Sequence, residues 1–420
     1  MSARRTQPRP PSLQESLIGI ASSRVVHAAF DFLRKNEPRW IDEQLAMLHV
    51  PAPPFAEGAR AAWLSERFRH AGLADVHIDE AGNVIGTRRG SADCRRTLLI
   101  SAHIDTVFSS DIKYEVRCSQ NGLATRIDAP GASDNSVGVV ALLAVASALA
   151  HANVVHPSDI VFVGNVGEEG EGDLRGMRHL FSAQSPLHDS IAAALVLDGT
   201  GNDAIVTDAL GSKRFEITAR GLGGHSWQDY GRPNPINALA RAISLFQDAP
   251  VPSEPRTTTN IGSISGGTSV NTIPETATMR VDIRSTSAAE IDRLVEVLRR
   301  SVQLAVTEQL RRTNARKAAL TAELRQIGDR PAGALPSDSP LLHAVNAVDA
   351  HLCIHSHLKR RSTDANIPLS LGIPAVSIGA GGTGGGAHTL GEWFDSTGRD
   401  LALKRILLIA LLVSETVASE

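Results

Sequence analysis

A chain of 420 residues is too long for one ordinary hydrophobic core, so length alone points to two domains. With 42% hydrophobic and 21% charged residues it reads as globular and soluble, and a net charge of −3 offers no electrostatic footing for nucleic acid or an anionic membrane. Three cysteines, Cys94, Cys118 and Cys353, show no C-x-x-C spacing, which excludes a disulfide framework and a thiolate metal site and favours a reducing compartment.

Roughly the first dozen residues read as disordered. Arg4 and Arg5 are followed by Pro8, Pro10 and Pro11, where a signal peptide would need its apolar core, and the apolar run 17–21 is too short to be one. Helical spacing covers residues 25–48 and 57–70, with Pro51, Pro53 and Pro54 between them. Two strands follow, 76–78 and 83–87, around a turn at Ala81 and Gly82. The next strand, Leu98-Leu99-Ile100-Ser101-Ala102-His103-Ile104-Asp105, ends in a histidine and an aspartate two residues apart. Such residues project to one side of an extended chain, so Asp105 can support the His103 ring. A ligating imidazole usually donates its other N–H to a carboxylate, which makes His103 a candidate metal ligand.

An isolated His-x-Asp would be better read as a polar turn at a strand end. Here further acids and an imidazole end apolar runs beside glycines: Asp134 in Gly131-Ala132-Ser133-Asp134-Asn135, Glu168 and Glu169 between Gly167 and Gly170, Asp198 before Gly199, and His388 after Gly386 and Ala387. A nearly all-apolar helix over 136–150 starts directly after Asp134, and strands over 159–163 and 192–197 lead to the glutamates and to Asp198. Strands alternating with helices, polar at the strand ends, describe an α/β sheet with its site where such sheets place it.

From about Ser212 the texture changes. Residues 213–219 alternate as a half-exposed strand, and Asn234-Pro235 caps a helix with Ile236, Leu239, Ala240 and Ile243 on one face. Strands over 260–265 and 276–284 follow, then a capping box, Ser287 to Glu290, opens a helix, and residues 318–326 close the set. The order β-α-β-β-α-β is a ferredoxin-like unit. The α/β texture returns from Ser339, so the chain reads as a catalytic domain in two parts, 1–211 and 329–420, around an inserted domain over 212–328. The longest apolar stretch near the end, 406–413, falls short of the ~20 residues a membrane span needs. The expectation is a cytoplasmic protein, a periplasmic form requiring a leader.

Two histidines and several acids without cysteine suit Zn²⁺ or a similar divalent ion. Asp134, on a glycine-flanked turn at a helix start, is the natural bridge between two ions. Adjacent side chains diverge, so one of Glu168 and Glu169 fits a ligand and the other a general base. Two metals about 3.5–4 Å apart can polarise a carbonyl and lower the pKa of bound water from about 15.7 to about 7, an arrangement for amide hydrolysis.

With these motifs in this order, the chain resembles the di-zinc metallopeptidases and deacylases that include peptidase T, glutamate carboxypeptidase, aminoacylase and acetylornithine deacetylase. The likeness runs from the His103 strand to His388 and reaches the insert through Gly223-Gly224-His225-Ser226 and residues 267–274. It implies a zinc-exopeptidase-like three-layer domain in which His103 and Asp198 hold one zinc, Glu169 and His388 the other, Asp134 bridges them, Glu168 is the base and Asp105 supports His103. It implies that Co²⁺ or Mn²⁺ can substitute. The insert resembles a lid and dimerisation domain, with His225 reaching the site of a second subunit to stabilise the oxyanion and Asn271 and Arg284 holding a substrate carboxylate. An exposed strand arginine is an equally good reading of Arg284. The likeness also implies a cis Asp134–Asn135 peptide bond.

Asp198 stands where the deacylases and carboxypeptidases more often have glutamate, and residues 166–176 look most like peptidase T relatives. The expectation is therefore an exopeptidase acting on small peptides at a free N-terminus, as a homodimer. An N-acyl amino acid deacylase or carboxypeptidase is the alternative within the family, and a non-catalytic metal-binding scaffold the alternative outside it, which the presence of Glu168 argues against. His351, Cys353, His355 and His357 read as a surface helix end, because no H-E-x-x-H glutamate accompanies them. The glycine run 379–386 lacks the ending of a phosphate loop and reads as backbone lying close to substrate.

Overall fold

The strand Thr97–His103 is buried along its whole length because a parallel neighbour lies on each side, Asp159–Asn165 and Ile191–Leu197. A strand so enclosed must be apolar throughout, as this one is up to its last residue. In the computed structural model, which describes residues 12–313 and 319–419, a nine-stranded mixed sheet is built around this trio. Ala375–Ile378 extends the parallel part beside Ile191–Leu197, while Val84–Arg88 and Ala204–Ala209 run antiparallel at its flanks. The helices Ser136–His151 and Arg399–Ser419 pack on Thr97–His103. The first is buried on nearly every side, and residues 406–413 of the second are all at most 3% exposed. A helix apolar all round belongs in a core. Among the described residues no single helix is long and apolar enough to cross a membrane.

Among the described residues, those from 12 to 207 and from 334 to 419 form one compact unit, and those between 208 and 333 form a second. The second is a four-stranded antiparallel sheet in the order Thr257–Gly266, Thr276–Ser285, Gly211–Gly221, Leu320–Arg330, with helices Pro235–Gln247 and Ala288–Arg311. Phe215, Ile217, Met279, Val281 and Ile283 from the sheet meet Leu239, Leu294 and Leu298 from the helices in one core. Asn234 caps the first helix through Ile236 N–H, as its sequence predicts. Ser287 accepts from Glu290 N–H, but the Glu290 carboxylate pairs with Arg293 instead of closing the capping box.

One local expectation changes, and two elements went unread in the sequence. The helix expected over 25–48 is two helices, Arg24–Lys35 and Glu37–Leu48, because Pro38 lacks an N–H and interrupts the ladder at Asn36. A helix over Leu13–Ser22, opened by a Ser12–Glu15 capping box, occupies the apolar run that precedes them. The disorder expected of residues 1–11 lies outside the described residues. A second four-stranded sheet, formed by Arg117–Asn121, Ala124–Asp128, Trp393–Asp395 and Thr383–Gly385, went unread because its strands are only three to five residues long.

The C-terminal helix is tied to Pro340–His351 by a buried pair: Arg405 donates to Asp349 through Nε at 2.6 Å and Nη2 at 2.7 Å, and Ser356 Oγ adds a third bond. Arg405→Met is expected to lower stability by about 3–5 kcal/mol, since it leaves a buried carboxylate without its cation. Adding Asp349→Leu should recover most of the loss. Calorimetric melting of the single and double variants checks this, and equal losses in both would show that the pair is not the source.

Candidate metal centre

The parallel strands deliver the site residues at their carboxyl ends, where an α/β sheet leaves a crevice. His103 ends its own strand, Asp159–Asn165 leads to Glu168 and Glu169, and Ile191–Leu197 leads to Asp198. Ala375–Ile378 leads through Thr383–Gly385 to His388. Asp134 stands in the loop before Ser136–His151, next to the helix N-cap Asn135 and the positive end of the helix dipole. The Asp134–Asn135 peptide bond is cis, as the resemblance implies.

The Asp134 carboxylate is divided between two imidazoles: Oδ1 lies 3.0 Å from His103 Nε2 and Oδ2 lies 3.2 Å from His388 Nε2. Glu169 Oε1 is 3.0 Å from His388 Nε2, and ligand atoms of His103, Asp134 and Glu169 all fall within 4.8 Å of one another. Asp198 Oδ1 approaches His103 Nε2 at 4.0 Å. On the other side of the ring, His103 Nδ1 is 3.5 Å from Asp105 Oδ1 and closer, 3.2 Å, to the Asp105 carbonyl. The Asp105 carboxylate is fully buried and accepts the backbone N–H of Glu168 at 3.1 Å and of Glu169 at 2.8 Å. It therefore fixes the chain that carries both glutamates as well as facing the ring.

The charges are strongly coupled. Burial opposes the His103 proton, yet the hydrogen bonds the ring donates to Asp105 and Asp134 prevail and hold the imidazole well above its ordinary pKa. Hydrogen bonds to Asp134 and Glu169 push His388 up to about 10. Burial would raise Asp134, but its two imidazole partners keep it far below the usual carboxylate range. Burial, with the Asp134 charge next to it, pushes Asp198 up to about 7. Without a metal, protons on the imidazoles balance the carboxylates. A nitrogen and oxygen donor set with no thiolate suits Zn²⁺ or a similar divalent ion in their place.

Some residues that shape the site were not singled out from the sequence. Asn135 donates to the Leu197 carbonyl and accepts from Gly138 and Gly199 N–H, tying the Asp134 loop to the Asp198 turn. Asn165 donates to Asp364 at 2.6 Å in the buried floor. Glu392, four residues after His388, binds the backbone beneath Asp134; that spacing was its one visible signal. The glycine run 379–386 lies against the protein itself: a Cβ on Gly379 would meet the Thr200 carbonyl oxygen at 2.4 Å, and one on Gly384 would meet Ser133 Cβ at 2.8 Å. His351 ends a helix, Cys353 is exposed with φ +56°, and His357 opens a strand, so the histidine cluster shares no helix face.

In the second unit, Gly224–His225 pairs with Thr272–Ile273, and Ser226 N–H donates to the carbonyl of Asn271, in the turn before that strand, at 2.9 Å, which brings Asn271 beside His225. The exposed His225 ring accepts the Trp227 and Gln228 N–H groups at Nδ1, at 3.1 and 3.4 Å. Arg284 Nε donates to Asp282 on its own strand at 2.6 Å.

Residues 83–227 match peptidase family M28, and residues 209–305 match the peptidase dimerisation domain of the M20 type. A probable carboxypeptidase of Paracoccidioides lutzii is 29% identical over 222 residues, covering 50% of this chain and 49% of that protein. The chain thus spans about half the length of such curated relatives. Aminopeptidase PepT of Bacillus cereus superposes with a TM-score of 0.72 at 21% identity, over 90% of this chain and 99% of that one. The YXEP protein of Bacillus subtilis, described as a dinuclear metal binding peptidase from the M20 family, gives 0.67 at 18% identity, over 91% and 100%. At these identities the structural likeness establishes the fold.

A metal-bound imidazole must be neutral, so metal has to displace the protons that His103 and His388 hold at pH 7. Titrating Zn²⁺ into the metal-free protein at pH 7 is expected to release protons, seen as binding heats that vary with the ionisation enthalpy of the buffer. Affinity should fall as pH falls, and the His388 contribution to proton release should fade as pH rises through about 10. Heats independent of the buffer would overturn the protonated state of the two imidazoles in the metal-free protein.

Proposed function

We propose that the chain is a metallopeptidase of the peptidase T-like kind and that it hydrolyses amide bonds in small peptides, cleaving at a free N-terminus; the peptidase and dimerisation-domain matches support this reading. Two Zn²⁺ ions per subunit serve the reaction, Co²⁺ or Mn²⁺ being substitutes. His103 and Asp198 would hold one ion and Glu169 and His388 the other, with Asp134 shared between them. The observation that carries this reading is the Asp134 carboxylate, which offers one oxygen to each of two imidazoles. When bound, the ions polarise the scissile carbonyl and acidify the attacking water.

Glu168 takes the proton from that water and hands it to the leaving nitrogen. Asp105 keeps the two glutamates in their separate roles by holding both of their N–H groups. With Nδ1 accepting backbone N–H groups, a neutral His225 carries its proton on Nε2, the form in which it donates to the developing oxyanion in the site of a second subunit. Asn271 and Arg284 hold the substrate carboxylate, Arg284 exchanging Asp282 for it. The dimerisation-domain match supports a homodimer joined through the insert. The free thiols of Cys94, Cys118 and Cys353 support a cytoplasmic setting.

The curated relatives described as probable carboxypeptidases favour a second reading, a carboxypeptidase or N-acyl amino acid deacylase. A panel of free tripeptides, N-blocked peptides and N-acyl amino acids separates the two. Cleavage of free tripeptides alone is the expected result, and turnover of only N-acylated substrates would sink the aminopeptidase reading.

Glu168→Gln should keep metal content and inhibitor binding while kcat falls by about 10²–10⁴-fold. Glu169→Gln should instead lose metal, with activity partly recovered in excess zinc. Metal analysis beside steady-state kinetics decides, and wild-type kcat in Glu168→Gln would remove the base. His225→Ala should lose turnover while retaining metal. Mixed with Glu168→Gln it should regain some activity in heterodimers, and a fully active monomer in sedimentation would refute a shared site.

A further inference from the structure

One buried carboxylate outside the proposed ligand set is bound to the backbone on which Asp134 stands. Glu392 is 1% exposed. Its Oε2 accepts from Gly131 N–H at 2.7 Å, and its Oε1 accepts from Ser133 N–H at 2.7 Å, Ser133 Oγ–H at 2.7 Å and Asp134 N–H at 2.8 Å. With three donors on one oxygen and one on the other, this surround fits the ionised form. Burial raises the pKa of the carboxyl, and these same donors work against it.

The segment that carries Glu392 also carries His388. Thr389 N–H bonds to the Gly386 carbonyl at 3.0 Å and Glu392 N–H to the Thr389 carbonyl at 3.2 Å, so two consecutive turns separate the imidazole from the carboxylate. His388 itself sits at φ +64°, a left-handed conformation that a residue with a Cβ adopts only when its surroundings impose it. Beyond Glu392 the chain pairs with Ala124–Asp128, and Ala129 N–H donates to the Glu392 carbonyl at 3.0 Å. The loop of one ligand and the loop of the other are thereby fastened at two levels, by the strand pairing and by the Glu392 side chain.

We infer that Glu392 is a positioning residue that locks the Asp134 loop to the His388 loop, setting the spacing at which one carboxylate meets two imidazoles and so governing metal uptake at both positions together. The inference rests on the metal-centre reading above and adds a residue that touches neither ion nor substrate. A group that served folding alone would change the melting temperature and leave the metal affinity of the folded protein unaltered.

Glu392→Gln keeps the shape but turns an NH₂ group toward backbone N–H donors. Metal-stripped full-length protein, folded by circular dichroism, is titrated with Zn²⁺ against a competing chelator and with Co²⁺ by its visible spectrum. The expected result is a roughly 10–100-fold loss of affinity at both positions, the size seen when outer partners of ligands are removed. Ser133→Ala, which deletes only the hydroxyl bond, should give a smaller loss at both, and it carries the test if Glu392→Gln does not fold. Wild-type affinities in either folded variant overturn the inference, and loss at one position alone overturns the coupling. Wild-type protein that takes up no metal overturns the metal-centre reading itself, and the role of Glu392 with it.

Discussion

The carboxylates of Asp105, Asp134, Glu169 and Asp198 converge at one end of a buried sheet, and their mutual repulsion is the constraint the rest of the first unit answers. Like charges this close are tolerable only if cations or directed hydrogen bonds balance them. Each carboxylate gets a different answer. Asp105 is stabilised by backbone N–H groups, Asp134 by two imidazoles, and Asp198 by giving up part of its charge.

Rigid backbone makes the arrangement possible. The loop before Ser136–His151 is pinned by Glu392, by Asn135, and by Gln44, whose side-chain nitrogen donates to the Ala132 carbonyl at 2.8 Å and whose oxygen accepts from the buried Arg399. Arg60, itself fully buried, donates to the Ile104 carbonyl between His103 and Asp105. Polar groups inside a protein have to be satisfied, and here the satisfaction is spent on fixing the residues that carry charge.

Much of this was legible in the chain because its signals are local. An apolar run that ends in His-x-Asp announces a buried strand and its polar exit, and Ile291, Leu294, Leu298 and Val302 announce a helix by spacing alone. The supports were not legible, since Glu392 and Gly131 are distant in sequence and meet through a strand pair of only three residue pairs, too short to show a pattern. Pro38 is a different case: its signal was present, but the apolar spacing on both sides outweighed it.

The order of strands in the large sheet has a bearing on how the protein is made. Ala375–Ile378 lies between Ile191–Leu197 and Ala204–Ala209, strands that follow one another closely in the chain. A ribosome delivers those two, then the whole of the second unit, before it delivers the strand that fits between them. Until then the nascent sheet has an open slot with two unpaired apolar edges, a template for pairing with other chains. The second unit can bury its own core during that interval, whereas the sheet of the first must wait for Ala375–Ile378.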